Sequence, residues 1–225
     1  MRYNLFSKQV KAPKLIHQIF YVWGDKEMNQ LFKRSKFEFE SIKGYKYKLW
    51  SEEECEELLN KFPDYVGLYY SCKYEIMKVD IIRFLILYKY GGLYADLDVI
   101  PVIKEFPESS FAVSKNDDEL NIEVLLSCDK NPILLDYLDF VKEQIEIKNQ
   151  IDVYKDWKLR YVHQTTGPRS FSRFLRNKDY DILKLNKPGN TNQKNPKLNL
   201  KGDEDYISYP SCSYSESFGI KNYAK

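Results

Sequence analysis

Hydrophobic positions along the chain switch between the two periods that mark strands and helices. From Lys14 to Val22 the run KLIHQIFYV is apolar and β-rich until Gly24-Asp25, which predicts a strand followed by a turn. Tyr45 to Trp50 alternates and predicts a second strand, with helical segments lying between the strands. Ser51 followed by Glu52, Glu53 and Glu54 places an N-cap and three acids at the positive end of a helix dipole, and Leu58 and Leu59 supply that helix's buried face. Tyr74 to Tyr90 predicts a longer amphipathic helix, with Ile76, Val79, Arg83, Phe84 and Leu87 at helical spacing and a stop at Gly91-Gly92. Leu93 to Ile100, Phe111 to Val113 and Val124 to Leu126 read as strands, and Pro132 to Lys148 as a helix. His163 to Pro168 opens a further helical segment, with Pro168 suited to its first turn and His163 expected at the surface. Strand-then-helix alternation predicts an α/β fold with a mixed, largely parallel sheet.

No internal repeat and no flexible linker divides the first 185 residues, so a single domain over 1–225 is expected, with its core at about 13–185. Asn186 to Gly202 reads as a long loop. The stretch 186–225 carries single hydrophobes, Leu198, Leu200, Ile207 and Phe218, and is expected to close over the C-terminal ends of the strands near Asp98.

Composition narrows the function classes. At 43% hydrophobic and 16% aromatic, the chain has the material for a sizeable core, which argues against general disorder. Basic and acidic residues number 35 and 33, a formal +2, so no strong overall field favours nucleic acid as a partner. Cys55, Cys72, Cys128 and Cys212 form no C-x-x-C pair, and with only His17 and His163 beside them they make a structural zinc a poor fit. Free thiols in a reducing compartment are expected. The first 20 residues lack a signal-peptide core, and the greasiest run, Ile81 to Tyr88, is interrupted by Arg83 and falls short of the about 20 residues of a membrane helix. A cytoplasmic chain without a membrane span, at most peripheral to a membrane, is the expectation.

The block YEIMKVDIIRFLILYKYGGLYADLDVIP, residues 74–101, holds the candidate chemistry. Asp96 and Asp98, two apart on the strand predicted after Gly91-Gly92, are expected to project to one side of the sheet. Two converging carboxylates suit magnesium or manganese; solvated acids at a strand edge are the structural alternative. Asp80 and Arg83, three apart on the preceding helix, share a face that is otherwise apolar. They form either a buried ion pair that orders the helix or part of a polar pocket beside the two aspartates. His17, inside an apolar strand, reads as a satisfied core residue rather than a base. Glu123 reads as a solvated strand-edge acid, with a nucleophilic role as the alternative.

The order IHQIF near the N-terminus, a later Leu49-Trp50, the stretch Lys78 to Pro101 with D-x-x-R and GG-x-Y-x-D-x-D, and a late Thr166-Gly167-Pro168 resemble the D-x-D sugar transferases of glycosyltransferase family 32. These include yeast initiating mannosyltransferases and bacterial capsule and lipopolysaccharide transferases, with a more distant likeness to clostridial glucosylating toxins. The resemblance implies a GT-A fold and metal-dependent, retaining transfer of a hexose from a nucleotide sugar to a glycan or lipid-linked saccharide acceptor, as in polysaccharide biosynthesis. UDP-hexose is the expected donor, with manganese or magnesium as the cofactor. Asp98 would bind the metal, and Asp96 would help hold it while contacting the ribose or sugar. Asp80 and Arg83 would hold the hydroxyls of the donor sugar, with Arg83 near the diphosphate. Phe20 would stack on the base and the backbone at Ile19 would read its edge. Family chains continue past a segment like Asn222-Tyr223-Ala224 into a histidine and a Ser-Trp pair, whereas this sequence ends at Lys225. A non-catalytic nucleotide-sugar-binding module is the main alternative, and a D-x-D phosphatase a weaker one, since that motif follows the first strand of its fold.

Overall fold

The computed structural model describes residues 11–21, 27–116, 119–151, 158–186 and 205–208. The strands are β1 Leu15–Ile19, β2 Lys46–Trp50, β3 Gly92–Ala95, β4 Val99–Pro101, β5 Phe111–Asn116, β6 Glu119–Ser127, β7 Asp181–Asn186 and β8 Tyr206–Ser208. The helices are α1 Gln30–Glu40, α2 Glu52–Leu59, α3 Pro63–Tyr70, α4 Glu75–Tyr90, α5 Pro132–Asn149, α6 Lys158–Thr165 and α7 Pro168–Phe174. Among the described residues the strands form one sheet in the order β2-β1-β3-β6-β5-β7-β8-β4. β1 runs parallel to β2 and β3, and β7 parallel to β5 and β8. β6 runs antiparallel to β3 and β5, and β4 antiparallel to β8, so the sheet is mixed with parallel pairs in the majority.

Period-two alternation divides the core into two layers. Leu93 and Ala95 of β3, with Val124 and Leu126 of β6, pack on one face with Phe39 of α1. Tyr94 and Leu125 face the opposite layer, where α4, α5 and α7 lie. Ser51 caps α2 through a capping box in which its hydroxyl accepts from the Glu54 N–H and the Glu54 carboxylate accepts from the Ser51 N–H. Pro168 opens α7 as expected.

α4 forms as predicted but is buried more completely than an amphipathic helix requires. Every residue from Val79 to Leu87 is buried, Asp80 and Arg83 included, because the sheet covers one side of the helix and the neighbouring helices cover the rest. Gly91 and Gly92 end it with φ of 62° and 97°. A Cβ on Gly92 would lie 2.6 Å from the Leu15 carbonyl oxygen, so glycine is what lets β3 lie down against β1 directly after the helix.

The span Leu93 to Ile100 is not one strand. β3 ends at Ala95, the Val99 N–H donates to the Asp96 carbonyl across a turn at 3.1 Å, and β4 leaves to pair with β8 at the far end of the sheet. Tyr206 and Ile207 of β8 are buried, and Ser208 pairs with Val99, directly after Asp98. Leu198, Leu200 and Phe218, named with Ile207 as anchors of a closing segment, lie outside the described residues, as does Cys212; Cys55, Cys72 and Cys128 are free thiols. No helix among the described residues is long and apolar enough to cross a membrane.

Candidate functional site

The glycine turn sets the height at which α4 and β3 meet. Counting back from Gly91 to Arg83 covers about 12 Å of helix at 1.5 Å per residue. Counting forward from Gly92 to Asp96 covers about 13 Å of strand, so Arg83 and Asp96 arrive side by side at the C-terminal edge of β3. Asp96 continues the α4-facing side of the strand, two residues on from Tyr94, and the guanidinium carbon of Arg83 stands 4.8 Å from the Tyr94 ring centroid.

Arg83 holds the site together. One terminal nitrogen donates to Asp80 Oδ1 at 2.7 Å. The other lies 3.1 Å from Asp96 Oδ1 and donates at 2.8 Å to the Ile122 carbonyl. The Tyr94 hydroxyl donates to Asp96 Oδ1 at 2.6 Å, and the Thr166 hydroxyl donates to Asp80 Oδ2 at 2.7 Å. Thr166 is itself fixed by the Tyr137 hydroxyl, which donates to its carbonyl at 2.6 Å. Helix, strand and the Thr-Gly-Pro turn before α7 thus converge on two carboxylates and one guanidinium.

The electrostatics follow from burial with partial compensation. Removal from water pushes the Asp80 carboxyl up to about 6, against the pull of Arg83 and the Thr166 hydrogen bond. Burial likewise raises Asp96, opposed by Arg83 and reinforced by the negative charge of Glu123. For Arg83 burial disfavours the charge, but Asp96, Tyr94 and Asp80 more than offset it and the guanidinium stays protonated. Asp80 and Arg83 are nearly inaccessible, whereas the Asp96 side chain is 25% exposed and forms the open member of the network.

The other expected site residues lie at the same edge of the sheet. β1 and β3 pair in parallel with Ile16 opposite Leu93 and His17 opposite Tyr94, a register that carries Ile19 to the level of Asp96. Ile19 is buried, and Phe20, half-buried just beyond the strand, donates its backbone N–H to the Trp50 carbonyl. Asp98 is 4% exposed and lies in the turn rather than on a strand. The expectation that Asp96 and Asp98 share one side of a strand is therefore corrected: a reversal after β3, stabilised by the pairing of β4 with β8, places them on irregular backbone.

Two further expectations change. Glu123 is buried on β6, and its carbonyl accepts from the Asp96 N–H at 2.9 Å; it is a neighbour of the site instead of a solvated edge acid, because β5 and β7 extend the sheet beyond β6. His163 is half-buried within α6 and its Nε2 is shielded from water, so it is not a surface histidine. His17 is the satisfied core residue expected. Its Nε2 bonds the Gly91 carbonyl at 2.9 Å, its Nδ1 accepts from Trp50 Nε1, and burial lowers its pKa to about 4.

Sequence reasoning did not assign Tyr94 to the site, although its place two residues before Asp96 on a strand puts both on one face. Ser35 on α1 and the side chain of Gln18 on β1 also reach this edge, and nothing in their local sequence signals it. Among the described residues no group of three or more His, Cys, Asp or Glu side chains could hold a metal ion. The oxygen donors available are the two carboxylates of the turn, a set chemically suited to a hard cation that takes its remaining ligands from water and a phosphorylated substrate.

The family comparison covers the segment that carries Asp80, Arg83 and the D-x-D turn. Residues 25–114 match the family model described as "Glycosyltransferase sugar-binding region containing DXD motif". Inositol phosphoceramide mannosyltransferase 3 of Schizosaccharomyces pombe is 36% identical over 100 residues, 43% of this chain and 27% of the relative. A mannosyl phosphorylinositol ceramide synthase of Saccharomyces cerevisiae is 33% identical over 88 residues, 38% of this chain and 22% of the relative. The chain therefore matches about a quarter of these curated relatives' length. Among solved structures, PaToxG glycosyltransferase superposes with a TM-score of 0.50 at 20% identity, covering 73% of this chain and 68% of that one. The catalytic domain of alpha-toxin from Clostridium novyi gives a TM-score of 0.44 at 10% identity, covering 76% and 64%. The resemblance read from the motifs is borne out, and the fold is that of GT-A glycosyltransferase domains.

Proposed function

We propose that this chain is a metal-dependent glycosyltransferase that moves a hexose, with retention, from a nucleotide sugar to a glycan or lipid-linked acceptor. The observation that carries this reading is the D-x-D turn itself. It lies at the C-terminal edge of β3, where open α/β sheets bind ligands, and Arg83 ties its first aspartate to Asp80.

Asp96 and Asp98 would hold a divalent cation, which supplies positive charge against the negative charge that develops as a nucleoside diphosphate departs. The chain's own residues prepare the site for it. Arg83 and the Tyr94 hydroxyl fix the Asp96 carboxylate in one orientation, so little reorganisation accompanies binding. Asp80, anchored by Thr166, holds Arg83 in place; as the structure stands both its oxygens are engaged and the side chain is buried, so a direct contact with sugar hydroxyls would require the pocket to open. Asp80 and Arg83 are the buried ion pair of the structural alternative, yet a member of the D-x-D turn is their third partner, so the pair that orders the helix also orders the site. Phe20 would stack on the base and the backbone at Ile19, which the strand register brings level with Asp96, would read its edge. The leaving diphosphate needs no separate general acid where a cation neutralises it, in keeping with a neutral, buried His17.

The donor is a hexose nucleotide. UDP-hexose is the first candidate, and the mannosyltransferase relatives make GDP-mannose the competitor. Isothermal calorimetry with UDP and GDP, with and without manganese, followed by donor hydrolysis assays with UDP-hexoses and GDP-mannose, tests the reading. Asp98→Asn is expected to abolish the manganese-dependent part of nucleotide binding while the protein still melts cooperatively. Equal nucleotide affinity with and without metal in the unmodified chain would refute metal dependence, and absence of sugar release from every donor would leave a binding module in place of an enzyme.

A further inference from the structure

The backbone of the D-x-D turn is gripped from the side opposite Arg83 by side chains to which neither the motif nor the comparisons assign a role. Gln18 on β1 and Ser35 on α1 are both fully buried. The Gln18 amide nitrogen donates to the Asp96 carbonyl at 3.2 Å and to Ser35 Oγ at 2.9 Å. Ser35 Oγ in turn donates to the Val99 carbonyl at 2.5 Å. The Tyr47 hydroxyl donates to Gln18 Oε1 at 2.9 Å, which fixes which end of the amide faces the turn.

Every proton in this chain has one destination: Tyr47 to Gln18, Gln18 to Asp96 and Ser35, Ser35 to Val99. The two carbonyls that receive them, at Asp96 and Val99, bracket Leu97 and Asp98, and the Val99 N–H closes the loop onto the same Asp96 carbonyl. An amide and a hydroxyl this deeply buried cost stability unless satisfied, and here each donates to the stretch of backbone from Asp96 to Val99 that joins β3 to β4. An apolar pair at positions 18 and 35 would fill the same space and leave those carbonyls to find other partners.

We propose that Gln18 and Ser35 are positioning residues: they set the conformation of the turn from Asp96 to Val99, and thereby the placing of Asp98 relative to Asp96, without touching ligand. This rests on the reading of the turn as the metal and diphosphate site. Partners of this kind around metal ligands are typically worth about 10- to 100-fold in metal affinity or activity when removed.

The test compares the unmodified chain with Ser35→Ala, Ser35→Thr and Gln18→Met. Calorimetry measures UDP and GDP affinity with and without manganese chloride, electron paramagnetic resonance of free manganese counts bound metal, and thermal melting monitors the fold. Ser35→Ala and Gln18→Met are expected to weaken manganese-dependent nucleotide binding by about tenfold or more. Nucleotide affinity in the absence of metal should be unchanged. Ser35→Thr, which keeps the hydroxyl, should recover most of the loss. Lower melting temperatures with unaltered metal-dependent affinity would overturn the proposal, as would an equal loss of affinity with and without metal, since either result describes a purely structural role. Should Gln18→Met fail to fold, the Ser35 pair decides alone. If the unmodified chain binds neither nucleotide with manganese, the functional reading itself has failed, an outcome distinct from any difference among the variants.

Discussion

Replacing Arg83 with methionine keeps a long apolar stem in the core and removes the charge that three groups share. Arg83 is 1% exposed and its guanidinium serves Asp80, Asp96 and the Ile122 carbonyl. Breaking a buried ion pair by deleting one partner costs about 3–5 kcal/mol, because the group left behind must either stay charged without compensation or take up a proton at a pH where it would otherwise be ionised. Set against a total stability of about 5–15 kcal/mol, Arg83→Met is expected to leave a folded but markedly weakened protein at pH 7. The loss should depend on pH in a definite direction. In the native protein the Asp80 carboxyl sits at about 6, so between pH 7 and pH 5 it takes up its proton part-way down. Without Arg83 it would already hold that proton near pH 7 and gain stability over the whole interval. The cost of the substitution should therefore shrink by about 1 kcal/mol between pH 7 and pH 5, the equivalent of one pKa unit. Urea unfolding followed by tryptophan fluorescence at both pH values measures the two differences, and Asp80→Asn combined with Arg83→Met should recover part of the loss. A cost below about 1 kcal/mol at pH 7, the range of exposed ion pairs, would show that water reaches the network and would refute the argument from burial.

The remaining predictions concern single groups. Asp80, whose folded-state pKa is raised, contributes stability that is fully present below its ordinary 3.8 and lost as pH rises through about 6; the stability of the unmodified chain relative to Asp80→Asn should fall across that window and level off above it, and a flat difference would contradict the raised carboxyl. His17 is held neutral by burial, so its stabilising contribution is present above 6.5 and lost as pH falls through about 4. With two histidines in the chain, proton NMR resolves both imidazoles, and a His17 ring titrating near 6.5 would contradict the buried arrangement between Trp50 and Gly91.

The sequence by itself determined what depends on neighbours a few residues away. The capping box at Ser51 and the proline start of α7 need only local backbone geometry, and both form where their residues predict. The stop at Gly91-Gly92 belongs with them, since both residues take a positive φ that glycine adopts without strain. The meeting of Arg83 with Asp96 was also implicit, because helix rise and strand rise about a glycine turn bring the two to one height. The tertiary structure decided what depends on distant partners. Leu93 to Ile100 has the pattern of one strand, but β4 finds its ladder on β8, more than a hundred residues later, and the break between β3 and β4 makes the D-x-D pair a turn. Whether Asp80 and Arg83 of α4 point into the core or line a pocket is open in the helix alone; both are buried because the sheet and the neighbouring helices enclose it. Glu123 reads as an edge acid until β5 and β7 take the sheet past it. Gln18 and Ser35 carry no local signal at all; their hydrogen-bond partners at Asp96 and Val99 lie more than sixty residues away, and only packing brings them within reach. Hydrophobic period and caps are properties of a segment, whereas strand partners, burial and the satisfaction of buried polar groups exist only after segments meet.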